Sequence, residues 1–99
     1  MKYYIKISCY SAGENDLSAD VTRTLQRSYE GKIIEDASFK GMLSSVQDSI
    51  RELNRKHGRC KPVKDVSLIT TDAPRIYVTG NRNFSATISF LPITGTLVL

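Results

Sequence analysis

Phe39, Met42, Leu43, Val46, Ile50 and Leu53 recur at i, i+3, i+4, i+7, i+11 and i+14, which places them on one face of an α-helix. Ser38 stands where an N-cap belongs and Gly58 where helices commonly stop. The pattern therefore predicts a long amphipathic helix over about 38–57. Residues 2–10 follow a different period. Tyr3, Ile5, Ile7 and Cys9 alternate with Lys2, Tyr4, Lys6 and Ser8, as in a half-buried strand. That phase puts Cys9 with the core residues and leaves Tyr4 and Tyr10 on the outer face.

Two readings compete over residues 17–35. Leu17, Val21, Leu25 and Tyr29 would line one side of a short helix that stops at Gly31. As strands, Val21, Arg23, Leu25, Arg27 and Tyr29 would oppose Thr22, Thr24, Gln26 and Ser28, with Glu30-Gly31 turning the chain into Lys32–Glu35. The Thr, Val and Tyr content favours strand over helix, and the expectation here is a hairpin.

Beyond the long helix, Val66–Thr71 and Arg75–Thr79 are β-branched runs separated by Asp72-Ala73-Pro74. Gly80-Asn81-Arg82-Asn83 is a second turn, after which Phe84, Ala86, Ile88 and Phe90 alternate with Ser85, Thr87 and Ser89. These three runs predict a C-terminal β-meander, with Ile93–Leu99 adding an edge strand or packing across the core. The expected fold class is α+β: a single small domain over residues 1–99, with a mostly antiparallel sheet of about four to six strands and the long helix packed on it.

Charge changes this picture in one place. The formal net charge is +4, but residues 1–50 carry six basic and seven acidic side chains, against eight and three in residues 51–99. Six of the basic side chains, Arg51, Arg55, Lys56, Arg59, Lys61 and Lys64, crowd the helix end and the following loop. Such a cluster suits phosphates, and Tyr4 and Tyr10 on a sheet face suit unpaired bases. Equally, cations gather at helix C-termini because the macrodipole favours them there, and Asp48, Glu52 and Asp65 dilute the patch.

Candidate chemistry narrows the function classes. The chain has one His and two Cys, too few to complete a four-ligand zinc site from His57 and Cys60, so no metal and no cofactor are expected. Glu14/Asp16 belongs to a polar loop, and Glu35/Asp36 precedes the helix where acids stabilise its start. Phosphate-binding glycine loops and an HExxH pair are missing. Leu91-Pro92-Ile93-Thr94-Gly95 matches the pentapeptide that sortases cleave between Thr and Gly, but it lacks the hydrophobic span and basic tail that accompany that signal. It reads as a strand leaving the sheet at a proline. The N-terminus has no apolar signal-peptide core and no segment is apolar enough to span a bilayer, so a cytoplasmic protein with two reduced thiols is expected.

The resulting expectation is a small non-enzymatic interaction protein, a homodimer that also binds a protein partner through a sheet edge or face. Tyr4, Tyr10, Ile93 and Leu97 are its candidate interface residues. The alternative is a nucleic-acid-binding module using the six basic residues at the end of the helix. No membrane partner is expected.

Overall fold

A computed structural model describes residues 1–11, 16–58, 62–80 and 84–93. Its elements run β1 (Lys2–Ser11), α1 (Asp16–Tyr29), β2 (Ile33–Glu35), a 3-10 turn at Asp36–Ser38, α2 (Phe39–His57), β3 (Val63–Ile69), β4 (Arg75–Gly80) and β5 (Phe84–Pro92). The five strands form one antiparallel sheet in the order β2-β1-β5-β4-β3. The fold is thus the expected α+β class, with the C-terminal meander in place and the two helices lying on one face of the sheet. Among the described residues, no helix is long and apolar enough to cross a membrane.

The core lies between the helices and the sheet. Val21, Leu25 and Tyr29 from α1 and Phe39, Met42, Val46, Ile50 and Leu53 from α2 face Ile5, Ile7, Ile76, Val78, Phe84, Ala86, Ile88 and Phe90 from the strands. Leu43, the sixth residue of the α2 stripe, packs half-buried at the margin of this cluster. Phe39 stacks on Phe90 with ring centroids 4.6 Å apart and meets Tyr3 at 4.9 Å, which fixes the start of α2 over the β1–β5 pair.

Three expectations need correction. Residues 16–29 form a helix, not the first arm of a hairpin. Burial of Val21, Leu25 and Tyr29 on one helical face outweighs the strand preference of Val21, Tyr29 and the intervening Thr22 and Thr24. The Tyr29 hydroxyl completes the arrangement by bonding Ser45 Oγ at 2.9 Å and Ser49 Oγ at 3.2 Å on α2. Second, Cys9 is exposed. β2 pairs only with Lys2–Tyr4, so β1 is an edge strand where Cys9 falls. Third, Ser38 holds the N-cap position of α2 without a side-chain capping bond. Ser38 closes the 3-10 turn, so its backbone is already at φ −95°, ψ 0°, a helical conformation in place of the extended one that capping uses. At the other end Gly58 adopts φ 60°, ψ −117°, where a Cβ would be strained, and its N–H closes on the Arg55 carbonyl at 3.2 Å.

Candidate interaction surface

The face of the sheet opposite the helices is uncovered among the described residues, and the strand registers define what lies on it. Tyr4 stands between Ile33 on β2 and Leu91 on β5. Lys6 aligns with Ser89 and then Arg75 on β4. Ser8 aligns with Thr87 and Tyr77, and Tyr10 with Ser85 and Thr79. Along β4, β5 and the first half of β1 these residues alternate with buried neighbours such as Ile5, Ile76, Val78, Ala86 and Ile88, so the same pleat that builds the core puts them outside, whereas Tyr10 follows Cys9, which is itself exposed.

Exposure is concentrated there. Among the described residues six large apolar or aromatic side chains are exposed, and five of them belong to this face: Tyr4 at 41%, Tyr10 at 63%, Ile33 at 59%, Tyr77 at 38% and Leu91 at 42%. The sixth, Met1, is the chain's first residue. Cations share the surface. Lys2 lies opposite Glu35, whereas neither Lys6 nor Arg75 has a carboxylate partner among the described ion pairs. Arg75 Nη1 donates instead to the Ala73 carbonyl at 2.8 Å. Asp65, aligned with Thr79 at the β3 corner, is the other acid of the strands concerned.

The basic cluster is arranged differently. Arg51 donates to Asp48 Oδ1 at 2.8 Å, and Arg55 grips both oxygens of Glu52 through one nitrogen, so each cation meets an acid one turn earlier on α2. Lys56 Nζ reaches Asp20 Oδ2 on α1 at 3.3 Å. Lys64 is exposed on β3 and, with Arg51, borders an open groove of about 320 Å³ between α2 and β3. Arg59 and Lys61 lie outside the described residues. Ile93 is half-buried just past β5, its N–H bonded to the Lys2 carbonyl at 2.9 Å, and Leu97 also lies outside the described residues.

Three polar contacts had no signal in local periodicity because each joins one element to another. His57 Nε2 donates to Asp20 Oδ2 at 2.8 Å, tying the end of α2 to α1. That hydrogen bond is the main reason the Asp20 carboxyl titrates below its ordinary value; burial opposes the effect and Lys56 reinforces it. The Asn54 carboxamide accepts from the Val63 N–H at 3.2 Å and donates to the Val63 carbonyl at 3.1 Å, imitating a neighbouring strand at the start of the β3 edge. Glu30 does the same in part on the other side, its carboxylate accepting the Ile7 N–H at 2.7 Å. On the open face, Tyr77 was within reach of sequence reasoning: it stands out of phase with Ile76 and Val78, as Tyr4 does with Tyr3 and Ile5.

His57 is thus engaged with Asp20, while Cys60 falls outside the described residues. No group of three His, Cys, Asp or Glu side chains placed to hold a metal ion occurs among the described residues. Comparison with protein-family models, with curated proteins and with solved structures finds no match to this chain.

Proposed function

We propose that this chain is a small non-enzymatic interaction protein that binds another macromolecule through the open face of its sheet. One observation carries the reading: among the described residues, five of the six exposed large apolar or aromatic side chains share that face, while the opposite face is committed to the core. Concentrated apolar exposure with a polar surround is the physical signature of a surface that is covered in use. The Ser and Thr between the tyrosines, at positions 8, 85, 87 and 89, add hydrogen-bonding groups without bulk.

A second copy fits the β3 edge better than the face. Among the described residues β3 has a strand neighbour on one side alone, and Asn54 closes its first residue. Site-specific photo-crosslinking in a lysate of the producing cells tests both parts. A benzophenone amino acid in place of Tyr77 should capture a partner far more efficiently than one in place of Ser44, which is exposed on α2. Placed at Lys64, it should give an adduct of twice the chain's mass. Equal yields at positions 77 and 44 would remove the face from consideration, and absence of the self-adduct would remove the dimer.

A further inference from the structure

We infer that the macromolecule taken by the open face is a single-stranded nucleic acid; the inference rests on the sheet-face reading above and names its partner. The arrangement of aromatic and cationic positions carries it. Residues two apart along a strand lie about 7 Å apart on one face, and adjacent strands about 5 Å apart. The Lys6–Ser89–Arg75 row therefore runs directly between the row holding Tyr4 and the row holding Tyr77, with Tyr10 one row further on β1. One cation row thus separates the Tyr4 row from the adjacent Tyr77 and Tyr10 rows. A strand with splayed bases has the matching chemistry: flat π-faces to lie on tyrosine rings and a phosphate between successive bases to meet an ammonium or guanidinium group.

Charge separates this occupant from the others. Two copies packed face to face would bring their central Lys6 and Arg75 rows together, setting four cations against one another with no described acid in that row. A duplex keeps its base faces stacked on one another and shows only base edges in its grooves, so the tyrosines would go unused. The acids near the surface sit at its margins. Glu35 is opposite Lys2, Asp65 is at the β3 corner, and Asp72 is in the turn before β4. The α2 end, by contrast, spends Arg51, Arg55 and Lys56 on Asp48, Glu52 and Asp20.

The test is fluorescence anisotropy of a labelled mixed-sequence single-stranded oligonucleotide and its duplex, titrated with the full chain at several salt concentrations. Single strands should bind more tightly than the duplex, with affinity falling as salt rises. Tyr4→Ser/Tyr77→Ser should weaken binding tenfold or more through lost stacking. Lys6→Gln/Arg75→Gln should weaken it and flatten the log–log salt slope by about 1.4, the value for two phosphates on a single strand. Arg51→Gln/Arg55→Gln should leave affinity unchanged. All six positions are at the surface or its margin, so circular dichroism of each variant should match the parent. No binding at low salt, a preference for duplex, or a loss confined to the Arg51/Arg55 variant would overturn the inference. If no oligonucleotide binds yet the position-77 crosslinker captures a protein, the partner class is wrong and the face survives. If the crosslinker also fails, both fall.

Discussion

At the level of single residues, the helical stripe was legible because burial and spacing agree. Leu53 is 7% exposed and sits in the core cluster with Ile50 and Val46. Leu53→Ala should therefore lower unfolding free energy by about 2–5 kcal/mol, the transfer and cavity cost of truncating a core leucine. Chemical denaturation monitored by circular dichroism reads this directly, and a loss under about 1 kcal/mol would mean the site is solvated or collapses freely. Gly58 was equally legible, since its φ of 60° meets the need that a helix-stop glycine signals. Cys9 was not. It keeps phase with Ile5 and Ile7, but alternation says only which side a residue faces, not whether anything covers that side. Ser38 fails for a related reason: a capping residue type does not guarantee capping geometry when a 3-10 turn precedes the helix.

Between elements, the limit of sequence reading is clearest at α1. Local propensity favoured strands over 17–35, and only the later stretch Ile33–Glu35 is one. The helix is held by partners remote in sequence: the core under Val21 and Leu25, the serines that meet Tyr29, and the tether from Asp20 to His57. The tyrosine and tether contacts sit toward opposite ends of α1 and join it antiparallel to α2. This tether has a pH signature. Asp20 titrates lower in the folded chain than its ordinary value, so its contribution is complete above about pH 5 and is lost as pH falls through the folded value. Urea unfolding of the parent and Asp20→Asn should differ by about 1 kcal/mol at pH 6, given partial exposure, with the gap closing toward pH 3. A gap that stays constant across that range would show that the Asp20 charge contributes nothing through His57 and Lys56.

For the molecule as a whole, one fold produces two unlike sheet faces. The inward positions of β1, β4 and β5 bury against α1 and α2, and the outward positions gather Tyr4, Tyr10, Tyr77, Ile33 and Leu91 around Lys6 and Arg75. Sequence alone showed Tyr4 and Tyr10 as outward, but it could not align them with Tyr77 and Arg75. That alignment depends on β5 lying between β1 and β4, a long-range pairing. Conversely, the basic run from Arg51 to Lys64 is the most visible charge feature of the sequence, yet its described helical members are largely matched by acids. The most direct measurement is an amide chemical-shift titration of isotope-labelled protein with a mixed-sequence single-stranded oligonucleotide. Use of the open face predicts shifts concentrated in β1, β4 and β5 around Tyr4, Lys6, Arg75, Tyr77 and Ser89, with residues 48–56 of α2 unmoved. Shifts confined to that end of α2, or none at saturating oligonucleotide, would contradict it.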